Sequence, residues 1–314
     1  MSDFPAGVTL DLLPPRDGER PAPKFVACEI TAQYEIAPAH FLMRLRDAEI
    51  ARGEPGQFVM IKPTPGAEVH PQLPRPMAIY RYLPASDEFE IVYRVIGTGT
   101  RVMSGRRAGE RAELVGPLGE AFRLADDLEG LLLIGRGIGT CSVTSAAELA
   151  AARGARVYAV ASARRRDAVV GLDLYADLGA QTLAVTDAEG TSDPARVEDF
   201  VGPLLEARRI QQVFVCGSNR LIALAARLAA PFGVDVQVSL EARMACGIGY
   251  CHGCSHGAVG ESEEAPLVCR EGPVFRATSR SPAISSQLSA VSPEQTAVAK
   301  RPMASARDGR PAKN

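Results

Sequence analysis

Between residues 24 and 115 the apolar positions come in short runs, 25–31, 41–45, 57–61, 77–80 and 89–95, broken by Pro and Gly. Runs of this length, bounded by turn formers, predict β-strands, and their succession without a helical period predicts an antiparallel barrel. The pattern changes after Gly116-Pro117-Leu118-Gly119. From there, apolar strands at 131–134, 156–161, 182–185, 212–215 and 234–238 alternate with helix-period segments at 141–152, 197–207 and 221–230. Strands that are apolar on both faces and separated by helices predict a doubly wound parallel α/β sheet. Past residue 275 the chain turns to Ser, Ala, Pro, Arg and Lys with little apolar periodicity, a composition that predicts disorder.

Five stretches follow: an extended, Pro-rich N-terminal arm over 1–23 without its own core, a β-barrel domain over 24–118, an α/β domain over 119–240, a small cysteine-bearing module over 241–276 and a disordered tail over 277–314. At 314 residues, 46% hydrophobic and 23% charged, the chain has room for two ordinary domains and such a module. A formal net charge of −2 gives no electrostatic case for nucleic acid. The longest apolar runs, such as residues 131–134, are far too short for a membrane span. No basic region followed by an apolar stretch opens the chain, so a cytoplasmic location is expected. Its seven cysteines then read as thiolate ligands and free thiols rather than disulfides.

Four of them, Cys246, Cys251, Cys254 and Cys269, follow the spacing C-x4-C-x2-C-x14-C among Gly247, Gly249 and Gly253. This is the ligand pattern of a plant-type [2Fe–2S] cluster. The short loop wraps three thiolates around two irons, and the glycines let N–H groups approach the sulfurs. A structural zinc site and plain reduced thiols are the competing readings. His252 and His256 lie in the same loop, but four cysteines already complete a ligand set.

Barrel, Gly-Pro-Leu-Gly junction, nucleotide-type α/β domain and C-terminal cysteine loop, in that order, resemble one family. The chain is similar, over roughly residues 24–275, to the electron-transfer subunits of class 1B dihydroorotate dehydrogenase, within the ferredoxin–NADP reductase superfamily. The most specific stretch runs from Glu241-Ala242-Arg243-Met244-Ala245 through the cysteines to Arg270-Glu271-Gly272-Pro273-Val274-Phe275. The resemblance implies three cofactors: FAD on the barrel, the [2Fe–2S] cluster, and NAD(H) or NADP(H) on the α/β domain. It also implies an FMN-containing dihydroorotate dehydrogenase catalytic subunit as partner, a heterotetramer, and passage of electrons from dihydroorotate to NAD+ in pyrimidine biosynthesis. Related subunits serve ferredoxin or sulfide reductase complexes, and a zinc-binding interaction protein is the non-enzymatic alternative.

On this resemblance FAD falls to Arg75, Pro76, Met77 and Ala78 and to Gly97, Gly99 and Thr100. An Arg fork can hold a pyrophosphate, and main-chain N–H groups and the Thr100 hydroxyl can face phosphate oxygens. Taken alone, these segments also read as a strand edge and a turn. Ala78 stands where the family offers a hydroxyl to the flavin. The dinucleotide falls to Gly135, Gly137 and Gly139 and to Cys216 and Gly217. A strand, a glycine turn and a helix N-terminus seat a pyrophosphate; a tight packing turn is the other reading. Here Arg136, Cys141 and Ser142 depart from the family's Gly and Pro residues. Ser162-Ala163-Arg164-Arg165-Arg166 reads either as a grip for a 2′-phosphate or as a solvated basic segment. No residue stands out as catalytic.

Overall fold

The computed structural model describes residues 7–14, 22–68, 70–257 and 265–279. Its first element, β1 (Val8–Asp11), precedes the barrel strands β2 (Lys24–Ala37), β3 (His40–Arg46), β4 (Phe58–Ile61), β5 (Arg75–Leu83) and β6 (Glu88–Arg94). A short helix, α1 (Thr98–Ser104), leads to β7 (Arg111–Leu118). These strands close an antiparallel barrel in the order β2-β3-β6-β5-β4-β7. The reason is the period of two: Met43 and Leu45, Val59 and Ile61, Phe89 and Ile91, and Ala112 and Leu114 all fall on the inner face and share one core.

Sequence pattern missed β7, because Gly116 and Pro117 read as punctuation. Gly116 instead pairs with Lys24, and Leu118 with Phe58, so the strand runs through the junction.

The second part comprises β8 (Gly130–Arg136), α2 (Thr140–Ala152), β9 (Arg156–Ala163), α3 (Leu172–Asp177), β10 (Gln181–Thr186), α4 (Pro194–Glu206), β11 (Gln212–Cys216), α5 (Asn219–Ala229), β12 (Asp235–Ser239) and β13 (Val274–Ser279). The sheet order is β1-β13-β12-β11-β8-β9-β10. Leu131 and Leu133 of β8 face α2 with Val143, Ala146 and Ala150, while Leu132 and Ile134 share the opposite core with Val201 of α4 and Leu224 of α5. Helices thus cover both faces, and the five strands from β12 to the edge strand β10 are parallel.

The sheet is mixed rather than wholly parallel, because β13 pairs antiparallel with β12, and β1 with β13. Two expected boundaries change with it. Leu10 and Leu13 of the N-terminal arm are buried in the cores flanking this sheet. Residues 277–279, assigned to the tail, belong to β13. The remainder of the expected tail, from 280 onward, lies outside the described residues, as do residues 1–6 and 15–21 of the arm. Among the described residues no helix is long and apolar enough to cross a membrane.

The barrel meets the α/β part along β5 and α2. Leu42, Tyr80 and Val92 pack on Cys141 and Val170, and Arg81 donates to the Glu148 carboxylate at 2.9 and 2.7 Å.

Candidate functional site

A cavity of about 1020 Å³ opens between the two parts. From the barrel, Arg75, Pro76, Met77 and Ala78 of β5 line it, with Thr100 of α1. From the sheet come Arg136, Gly137 and Ile138 after β8, Gly217 and Ser218 after β11, and Ser239 to Ala242 after β12. These are carboxyl ends of parallel strands, where α/β folds take ligands. Volume, apolar strand walls and a few polar groups suit a flavin with room for a second ligand.

The Arg75 guanidinium lies directly over Gly99, where a Cβ would stand 2.6 Å from its Nε. It donates to the Leu73 carbonyl at 2.6 Å, which aims it along the cavity wall. Thr100 lines the cavity, and its hydroxyl also accepts from the N–H groups of Ile96 (3.0 Å) and Gly97 (3.3 Å), which braces the turn. Gly97 and Gly99 build this turn but do not line the cavity.

The β8–α2 turn divides its glycines between two tasks. Gly139 lets the turn press on β11, since a Cβ there would stand 2.9 Å from the Cys216 carbonyl oxygen. Gly135 packs in the same way against Thr140, and only Gly137 faces the cavity. Cys216, expected beside a nicotinamide, has a side chain fully buried behind the turn and does not line the cavity. Burial, and then the nearby Glu241 charge, push its thiol up to about 12. Arg136 donates to Ser162 Oγ and to Asp187 Oδ2, each at 2.7 Å, and ties the ends of β8, β9 and β10 together. Its hydrogen bond holds the Asp187 carboxyl below the ordinary range, with Ser192 helping.

Two lining groups escaped the sequence reading. His40, at the start of β3, is buried with Nδ1 2.8 Å from the Pro38 carbonyl. Glu241 follows β12 with its residue exposed at the cavity, where partial desolvation raises its carboxyl. Its place at a strand's carboxyl end was the available signal, hidden by its position at the head of the cysteine motif.

That motif begins at the cavity wall, for Met244 lines the cavity and Cys246 follows two residues on. Gly247 (φ +73°) rests on the barrel so tightly that a Cβ would lie 2.2 Å from Met60 Cγ. The thiols gather as pairs, Cys246 hydrogen-bonded to Cys251 and Cys254 to Cys269. Among the described residues no group of three or more His, Cys, Asp or Glu side chains is placed to hold a metal ion.

This pairing is the one in which each iron of a two-iron cluster would take two thiolates. N–H donors are already aimed at the sulfurs. Ile248 (3.5 Å) and Cys251 (3.4 Å) donate to Cys246 Sγ, and Gly249 (3.2 Å) donates to Cys269 Sγ. Burial works to raise the Cys246 thiol, but these donors outweigh it and bring it to about 7. Cys269, buried and hydrogen-bonded to Cys254, is pushed up to about 12. Cys251 is exposed, whereas Cys254 and Cys269 are buried. His252 is exposed and His256 half-buried. Burial lowers the latter's imidazole.

Comparison with known proteins agrees with this geometry. Residues 241–279 match the family model for the iron–sulfur cluster binding domain of dihydroorotate dehydrogenase B. The electron-transfer subunit of dihydroorotate dehydrogenase B (NAD(+)) from Geobacillus thermodenitrificans is 32% identical over 252 residues, 79% of this chain and 95% of the relative. The subunit of the same name from Desulforamulus reducens is 27% identical over 258 residues, 80% and 96% of the two chains. Among solved structures, the NADH-dependent reduced ferredoxin-NADP oxidoreductase of flavin-based electron bifurcation superposes with a TM-score of 0.67 at 24% identity, over 80% of this chain and 88% of the other. The ferredoxin reductase of carbazole 1,9a-dioxygenase gives 0.54 at 19%, over 68% and 67%. These two are likenesses of fold.

Proposed function

This chain belongs to the family of electron-transfer subunits of dihydroorotate dehydrogenase B, and from that premise we propose that it carries electrons between a catalytic partner and a pyridine dinucleotide. The relatives are named for NAD(+). The observation that carries the reading is continuity: one cavity wall runs from Arg75 on the barrel through the Gly137 turn to Met244, two residues before the first cluster thiol. The residues assigned to flavin and dinucleotide thus line one cavity, and the cluster thiols begin at its wall, which brings all three groups of an electron relay to one place.

When bound, the flavin exchanges electron pairs with the dinucleotide and single electrons with the cluster. The chain's own residues hold this arrangement. Arg75 supplies a fork for the flavin's pyrophosphate, and Met77 and Ala78 offer an apolar wall to its ring. Gly137 and the N-terminus of α2 receive the dinucleotide's pyrophosphate, 13 residues of helix lying behind it. Cys246, Cys251, Cys254 and Cys269 hold the cluster, and the N–H groups of Ile248, Gly249 and Cys251 stabilise charge on the sulfurs. The three domain stretches over 24–276 and the arm serve this relay.

The partner in this reading is an FMN-containing dihydroorotate dehydrogenase catalytic subunit, joined in a heterotetramer in the cytoplasm, where thiolates stay reduced. It oxidises dihydroorotate, and this chain delivers the electrons in pyrimidine biosynthesis. The test is co-purification with that subunit followed by assay with dihydroorotate. The complex reduces the dinucleotide, whereas the isolated catalytic subunit does not. Equal reduction by the isolated subunit, or a colourless purified chain with one zinc, defeats the reading.

A further inference from the structure

The sheet reverses at β8, with β9 and β10 on one side and β11 and β12 on the other, so its switch point lies at the β8–β11 crevice where the cavity opens. In a βαβ dinucleotide unit the end of the second strand faces the adenosine ribose. An Asp or Glu there bonds the 2′-hydroxyl of NAD, whereas an Arg accommodates the 2′-phosphate of NADP. The second strand here is β9. It ends at Ala163 and is followed by Arg164, Arg165 and Arg166, with no acid at the strand end. Ala163, Arg164 and Arg165 line the cavity, as does Asp167 four residues past the strand.

The nearest carboxylates are already matched. Asp167 accepts from Arg165 at 3.1 and 2.6 Å. Asp187 accepts from Arg136 at 2.7 Å. Arg164 is exposed and, among the described residues, forms no ion pair of its own. The rim therefore carries a guanidinium outside any hydrogen-bonded ion pair, its charge reaching Asp187 only as an addition to that of Arg136, at the place where a ribose 2′-substituent arrives. Arg165 stands beside it, its orientation fixed by Asp167.

Resting on the dinucleotide reading above, we propose that Arg164, with Arg165, forms a 2′-phosphate site and that this chain selects NADP(H) over NAD(H). Planar guanidinium forks suit a phosphate dianion, and the cavity-lining acid past this strand end, Asp167, has both carboxylate oxygens engaged by Arg165 rather than turned to a ribose hydroxyl. Arg164 is thus the residue that determines specificity.

The test is calorimetric titration of the flavin- and cluster-loaded protein with 2′-phospho-AMP, 5′-AMP, NADP+ and NAD+. The expected result is 2′-phospho-AMP binding at least ~10-fold tighter than 5′-AMP, and NADP+ tighter than NAD+, by the worth of a charged hydrogen bond. Arg164→Ala, at an exposed site, should erase most of that ratio, and Arg164→Ala with Arg165→Ala all of it, while the visible spectrum stays that of the parent. NAD+ binding as tightly as NADP+, or a preference that survives in the double variant, overturns the assignment alone. No binding of any of the four, with flavin and cluster bands intact, overturns the dinucleotide reading and this assignment with it.

Discussion

A single missing oxygen sets the clearest test of the flavin site. Ala78 lines the cavity from β5, where the family offers a hydroxyl. In Ala78→Ser a restored donor would favour the electron-rich flavin. At about 1 kcal/mol for the bond, a two-electron potential rises by roughly 20 mV. Anaerobic redox titration reads this directly, and an unchanged potential places the serine out of reach of the flavin. The buried thiols make a second test. Cys28 and Cys216 are each raised to about 12, chiefly by burial, and Cys141 is raised as well. A raised thiol stays protonated below its pKa, and only the thiolate is nucleophilic. In the native protein these three should therefore remain unmodified by iodoacetamide between pH 6 and about 9, as peptide mass spectrometry would report. Rapid labelling of Cys216 at pH 8 would show that the turn above it opens. The sequence showed that these cysteines are separate from the ligand set, but not which way Cys216 points. That depends on β11 pressing under Gly139.

Elements were legible where their period is local and silent where their partner is remote. The inner-face alternation of β6, Phe89, Ile91 and Tyr93, marks a strand from sequence alone; that Glu90 and Val92 on its other face are buried as well is not legible there. β1 offers only four residues, Val8–Asp11, in a Pro-rich arm. It is a strand because it pairs with β13 in the register Val8↔Ser279 to Asp11↔Arg276. No window of sequence contains both partners. Leu10, 5% exposed, anchors it in the large core. Leu10→Ala should cost about 2 kcal/mol, the lower end of the range for a core leucine, because an edge strand relaxes around the loss. Chemical denaturation followed by circular dichroism measures it. A change under about 0.5 kcal/mol, the size of an ordinary surface substitution, would mean the arm is not docked in solution.

At the scale of the molecule, function rests on how the barrel is held against the sheet, since the cavity is the space between them. A chain of charges crosses that seam: Arg44 to Glu90 at 2.7 Å, Glu90 to Arg81 at 3.8 Å, and Arg81 to Glu148 of α2 at 2.7 Å. Glu90 is almost wholly buried, so the network is better shielded than a surface pair. A double-mutant cycle with Arg81→Met and Glu148→Gln should give a coupling of about 1 kcal/mol that weakens with salt. Zero coupling would assign the seam to the apolar packing of Tyr80 on Cys141 and Val170 alone. By itself the sequence determined the order of barrel, α/β sheet and cysteine loop, and singled out the four thiols, because strand period, helix period and ligand spacing are local properties of a chain. Only the tertiary structure decided that Thr100 braces its own turn, that Cys216 lies behind the cavity while Glu241 faces it, and that Arg164 stands at the rim outside any hydrogen-bonded ion pair. Each of these depends on which distant segments meet, and that is settled by the packing of whole elements rather than by any stretch of sequence read alone.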